Sequence, residues 1–241
     1  MDREPRDQVL DAERAAGVPD GPGERFAGWG VMGLPFRSGH YLALRHFTSS
    51  IGPAFRSVWH RDPAGRWTMY SDTEPRHACI RYFGARLDRV ETAPIGVDWD
   101  GPRSFTVTIP GHVHWRVELA ATLTTRLMTW TGGALPERLW HSDRALRLLA
   151  PLAGTVLSAG RLRLSGTAPN GQTFRAGPRR LWGVVGGRAV VDGADVGPPG
   201  RLARQDRLGD FWLPQRGLLA IGDASFEPFD PARHSVATTA G

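Results

Sequence analysis

The sequence predicts a mainly β protein of the α+β class, with two antiparallel β-barrel or sandwich lobes joined by a helical connector, or one sheet system completed from both ends of the chain. Three observations carry this expectation. Between residues 26 and 119, short apolar and aromatic runs recur, each bounded by Gly, Pro or Asp. Between 120 and 160 the apolar period becomes helical, and from 161 to 232 short strand-like runs return.

In chain order, residues 1–25 alternate charges and end in "GVPDGPG", a composition that buries little apolar surface and predicts a disordered N-terminal tail with at most one turn of helix. The first lobe, 26–119, contains "HYLALRHF", "AFRSVWHR", "RWTMYS", "ACIRYFG", "IGVDW", "SFTVTI" and "HVHWRVEL" as strands. Within it, "WHRDPAGRWTMYSD" reads as a hairpin: Pro63 presets the bend and Gly65 permits a positive φ. Trp67, Met69 and Ser71 share one face of its second arm and Thr68 and Tyr70 the other, so this strand is expected to be covered on both sides. In the connector, Ser142 can cap a helix, Asp143 suits its positive end, and Leu146, Leu149, Ala153, Val156 and Gly160 form one stripe. Small residues such as Ala145, Ala150 and Gly154 allow that helix a close approach to another surface. The second lobe, 161–232, has "PNGQ" and "VGGR" as turns, and 233–241 is read as a C-terminal tail.

The chain has 241 residues and a formal charge of +6, from 30 basic and 24 acidic side chains. Every basic residue is Arg, scattered rather than gathered in a patch, and no aromatic-basic RNA motif occurs, so nucleic acid is not the expected partner. The single Cys79 excludes an intrachain disulfide and a thiolate cluster, and fits a reducing compartment. The N-terminal stretch lacks an apolar core, and the window 145–160 contains Arg147 and Pro151 and is short for a bilayer crossing. These features predict a soluble cytoplasmic protein.

Two motifs invite a phosphotransferase reading: G-x-G-x-x-G at 28–33 and His60-Arg61-Asp62. The chain has no lysine to hold phosphates, Trp67 stands where a metal-binding Asn would follow Asp62, and Pro35 and Gly39 replace the helix that a phosphate loop opens. Lysine-dependent Schiff-base chemistry is excluded on the same ground, and no G-x-S-x-G elbow is present. A metal alternative rests on "HVHWRVE": period two places His112, His114, Arg116 and Glu118 on one face, the ligand types that cupins use. Thr106 and Thr125 stand where cupin glycines would, and simple alternation, with Val113, Trp115, Val117 and Leu119 inward, explains the same pattern. His77 and Cys79 on one expected strand form a thiol–base alternative, set against a small buried hydrophobe.

What remains is aromatic. Nine tryptophans accompany Arg and His, a lining suited to a flat or greasy ligand or to a packed core. The candidate ligand-binding residues are His60, Trp59, Arg45, Tyr82, Trp212, Gln215 and Arg216. His60 is preferred over Trp59 as the cavity-facing group, because imidazole exchanges protons near neutral pH.

The segments "GHYLALRHF", "SVWHRDPAGRWTMYSD", "PNGQTF", "PRRLWGVV" and "GDFWLPQRG" resemble a group of actinobacterial proteins of unassigned activity, over residues 26–232. More remotely, the layout resembles the calycin-type AttH and carotenoid 1,2-hydratase-like proteins, which implies lipocalin-like barrels and transfers no catalytic residue. The leading expectation is a protein that binds a hydrophobic small molecule, a lipid, terpenoid or polyketide, in a Trp-rich barrel cavity. Acid–base chemistry at a cavity histidine is an added option, and no cofactor is implied. The alternatives are a metal-dependent enzyme at His112, His114 and Glu118, and an interaction module whose central helices contact a partner or a membrane.

Overall fold

The computed structural model describes residues 3–15 and 17–235. Helix α1 (Pro5–Ala15) precedes strands β1 (Glu24–Pro35), β2 (Tyr41–Ser49), β3 (Phe55–Arg61) and β4 (Trp67–Ser71). A short helix α2 (Ile80–Phe83) leads to β5 (Arg89–Thr92), β6 (Gly96–Trp99), β7 (Ser104–Ile109) and β8 (Val113–Ala120). Helices α3 (Leu123–Ala134), α4 (Glu137–Trp140) and α5 (Asp143–Val156) follow. The chain closes with β9 (Ser165–Thr167), β10 (Thr173–Val191), β11 (Ala194–Asp195), β12 (Arg207–Leu208), β13 (Phe211–Trp212) and β14 (Leu218–Phe226).

The protein is mainly β, built on one large sheet curled into a half-barrel. The order is β5-β4-β3-β2-β1-β14-β10-β8-β7-β6, antiparallel except for the β4–β5 pair. Of the two expected arrangements, sequential lobes or one sheet system completed from both ends, the strand order is the second, because β10 and β14 from the second half sit between β1 and β8 of the first. Long-range strand pairing, rather than chain order, groups the strands.

Local chemistry explains several elements. The β3–β4 hairpin turns at Asp62–Arg66, with the Gly65 N–H donating to Asp62 O at 3.0 Å and Gly65 at φ +90°. The residues 28–33 motif lies inside β1, not in a phosphate loop. A Cβ on Gly30 would stand 2.1 Å from Leu44 O, so glycine permits β1 to pass close to β2. The side chain of Ser142 accepts from Ala145 N at the start of α5, and Thr122 caps α3 through a reciprocal bond with Thr125. Gly132 on α3 faces the backbone of Arg179, which seats that helix on β10.

Alternation on the strands builds two cores on opposite faces. The concave core joins Trp29 and Val31 of β1, Leu42 and Leu44 of β2, Val58 of β3 and Tyr70 of β4 with Phe105 and Val107 of β7 and Trp115 of β8. Strands from opposite ends of the order meet there, which requires the sheet to curl. The convex core contains Phe26, Ala43, Phe55, Trp59, Phe83, Phe174 and Leu213, and continues under the helices through Ala153, Leu157, Leu181 and Leu218.

Three expectations need correction. The segment expected to be disordered contains α1, which docks across the curl. Val9 is fully buried in the concave core, Glu13 accepts from Trp29 Nε1 at 2.9 Å, and Glu4 makes two hydrogen bonds with Arg103. One apolar contact and a set of polar contacts order a helix whose composition alone would not hold it. Residues 79–83 were expected as part of a strand; α2 forms there because Ile80, Tyr82 and Phe83 bury into the convex core. The C-terminal tail begins anchored, His234 Nε2 lying 3.0 Å from Glu227 Oε1, while 236–241 fall outside the described residues.

Candidate functional site

A cavity of about 490 Å³ lies between the convex face of the sheet and the helical layer. Period two supplies its floor. Phe26 and Met32 of β1, Arg45 and Phe47 of β2, Trp59 of β3, Phe174 and Leu181 of β10, and Leu218, Ala220 and Phe226 of β14 all point to that side. Met128 and Trp130 of α3 with Leu135 at its C-cap, Trp140 of α4, and Leu149 and Ala153 of α5 with Leu157 at its C-cap form the roof. Cys79, Tyr82 and Phe83 close one end, with Phe211 and Trp212 of β13 beside them. Trp130 is 71% exposed and also lines the cavity, so the space reaches the surface at α3.

Few polar groups enter this apolar box, and most are already engaged. Tyr82 donates its hydroxyl to Glu24 Oε2, and Arg81 gives two hydrogen bonds to the same carboxylate at 2.7 and 3.1 Å. Burial raises the Tyr82 pKa and the Glu24 interaction raises it further. Burial alone would raise Glu24, but hydrogen bonds from Arg81 and Tyr82 bring it below the ordinary carboxylate value. Asp223 pairs with Arg179 at 2.9 Å, yet burial holds its pKa above the usual value. Burial likewise pushes the Cys79 thiol up and leaves it protonated. Arg45 is different: it is 4% exposed, no carboxylate pairs with it among the described residues, and its guanidinium lies 5.0 Å over the Trp59 ring.

Of the residues proposed from sequence, Arg45, Trp59, Tyr82 and Trp212 line the cavity. His60 does not, and its place as the preferred cavity residue passes to Trp59. The two point to opposite faces of β3, and the cavity lies on the Trp59 side. His60 instead stacks on His40, with ring nitrogens 2.9 Å apart, and burial followed by the His40 charge pushes its pKa down to about 4. Gln215 is buried outside the cavity, where Oε1 accepts from Leu202 N at 2.9 Å, and Arg216 also lies outside it. The roof residues Trp130 and Trp140 were not singled out from sequence; the inner position of Trp140 on its helix is the signal that marks it, whereas the mostly exposed Trp130 at the cavity mouth has none.

The metal alternative does not assemble. His112 sits in the β7–β8 turn between Glu91 and Asp192, each at 3.0 Å, whereas His114 is exposed and Glu118 pairs with Arg116. Among the described residues no group of three or more His, Cys, Asp or Glu converges in metal-ligating geometry. The polar side of β8 is the solvated side of an alternating strand. His77 and Cys79 do not share a strand face either, since a 3₁₀ turn over Pro75–His77 precedes α2. Neither family models, curated proteins nor solved structures give a match to this chain.

Proposed function

We propose that the protein binds a hydrophobic small molecule, of lipid, terpenoid or polyketide class, between the convex sheet face and helices α3–α5. The observation that carries this reading is the cavity: about 490 Å³, walled almost wholly by apolar and aromatic side chains. That volume falls within the roughly 300–1,000 Å³ typical of small-molecule sites. The expected ligand space was the interior of a lipocalin-like barrel; the concave side is instead filled by Trp29, Phe105 and Trp115, and the space lies on the other face. Among the described residues no histidine lines it, its thiol and phenol are held protonated, and its one carboxylate, Asp223, is engaged by Arg179, so the reading is of binding rather than acid–base turnover. A single buried free thiol suits a reducing compartment, and on that ground we assign the protein to the cytoplasm.

Titration with diphenylhexatriene, a neutral fluorescent polyene, tests the reading. Saturable binding is expected, and Ala220→Phe, which fills the floor, should abolish it without unfolding the protein. Binding unchanged in Ala220→Phe, or absent from the parent protein, would refute it.

A second reading, contact with an anionic membrane surface, rests on the outer side of the same helices. Leu123, Leu127 and Trp130 of α3 and Leu148 and Leu152 of α5 are exposed, with Leu123 at 85%. Arg144 and Arg147 are exposed among them, whereas Glu137 and Asp143 pair with Arg179 and Arg175 of the sheet. Exposed apolar side chains interleaved with Arg form the face of a helix that lies in a bilayer interface. No described helix is long and apolar enough to cross a membrane. Flotation with phosphatidylglycerol vesicles, but not with phosphatidylcholine alone, is expected and should be lost in Leu148→Ser/Leu152→Ser. Concentration-dependent self-association through this face, without flotation, would replace the membrane with a second copy of the chain.

A further inference from the structure

Arg45 is a cation that the fold buries with no carboxylate partner among the described residues. Its Nη1 donates to the carbonyls of Val31 and Leu44 at 2.6 and 2.9 Å, and Nη2 donates to Met32 O at 3.2 Å. These bonds use three of the five guanidinium N–H groups. Nε and the second Nη2 hydrogen have no hydrogen-bond partner among the described residues, and the side chain lines the cavity. The other partly buried arginines near the site have carboxylates: Arg81 with Glu24, Arg179 with Asp223, and Arg61 with Asp206.

Arg45 has a local task, since the carbonyls it caps lie where β1 breaks register with β2 and β14. That task needs donors, and a neutral amide supplies donors without the cost of burying a charge. The two groups closest in charge, Cys79 and Tyr41, are kept neutral by burial and cannot balance the guanidinium. The Trp59 ring and, at 5.9 Å, the Phe211 ring lie against the cation, which orients it but supplies no counter-charge.

We infer that Arg45 anchors the carboxylate of an amphiphilic acid whose apolar body fills the rest of the cavity. The inference rests on the reading that the cavity holds a hydrophobic ligand, and it adds the head group. A carboxylate suits the guanidinium fork, which presents paired donors to two oxygens, and the apolar floor of β10 and β14 suits the body of the same molecule.

The test compares cis-parinaric acid with its methyl ester on the intact protein, by fluorescence titration. The two share a body and differ in the charge of the head. The acid is expected to bind roughly 10- to 100-fold more tightly, the range of charge-assisted hydrogen bonds. Arg45→Gln keeps an amide donor and removes the charge, and should reduce the acid to the level of the ester in the same variant. Equal binding of acid and ester by the parent protein overturns the anchor while the cavity reading stands. A preference for the acid that survives Arg45→Gln overturns it too, and transfers the role to another cation such as Arg163 on the cavity wall. Saturable binding of neither probe removes the cavity reading and the anchor together.

Discussion

Replacing Val9 with Ala tests whether α1 belongs to the folded body. Val9 is 0% exposed and belongs to the concave core with Trp29 and Val31. The substitution removes about two methylene-sized groups, at roughly 0.8 kcal/mol each, and leaves a small void that a docked helix cannot fully close. The total is about 1.5–2.5 kcal/mol. For a chain of this size each kcal/mol shifts the melting temperature by about 2–4 °C, so a decrease of roughly 3–10 °C is expected. Thermal unfolding followed by circular dichroism measures it. As a control, Glu13→Gln keeps an acceptor for Trp29 Nε1 and loses only the partly exposed ion pair with His46, which should cost less than about 1 kcal/mol. A Val9→Ala shift under about 1 °C would refute the reasoning, because α1 could then detach without loss to the cooperative unit.

Three further outcomes follow from the same geometry. Gly30→Ala should destabilise by about 3 kcal/mol or more or prevent folding, because its Cβ would lie 2.1 Å from Leu44 O; denaturant melts read this, and a change below about 1 kcal/mol argues against the close β1–β2 approach. Asp62→Asn should cost less than about 1 kcal/mol, since the turn acceptor for Arg66 N is retained and only the exposed Arg66 pair is lost; a larger loss would indicate that the carboxylate has a role beyond the turn. His60 is buried neutral, with its pKa pushed down from 6.5 to about 4, so the unfolded chain binds the additional proton between those values. Stability should therefore be present above pH 6.5 and decline as pH falls toward 4, and His60→Phe should flatten that limb in melts taken across the range.

Much of the local structure was legible because it is decided by near neighbours. The Asp62–Arg66 turn needs only Pro63 and Gly65, the alternation of β7 and β8 needs only period two, and the caps of α3 and α5 need Thr122 and Ser142 within three residues of their partners. Helices at 123–156 follow from the same reasoning. At the candidate site, Arg45, Trp59, Tyr82 and Trp212 could be named from residue type, although nothing in the sequence brings them together.

The sequence by itself determined that Trp59 and His60 oppose one another, since alternation is a property of one strand. Which of the two meets the cavity was decided only when the sheet curled and one face packed on itself while the other received the helices. For α1 the sequence showed charge and little apolar surface, and the order comes from the seat that distant strands provide for Val9 and from Trp29 donating to Glu13. The choice between two lobes and one sheet system stayed open in the sequence for the same reason: the pairing of β14 with β1 and of β10 with β8 joins residues roughly 70 to 200 positions apart, and such pairing leaves no mark in local composition. Near-neighbour sterics and hydrogen bonding wrote the elements into the chain. The placement of the cavity, and the isolation of the Arg45 charge within it, depend on long-range burial that exists only in the closed fold.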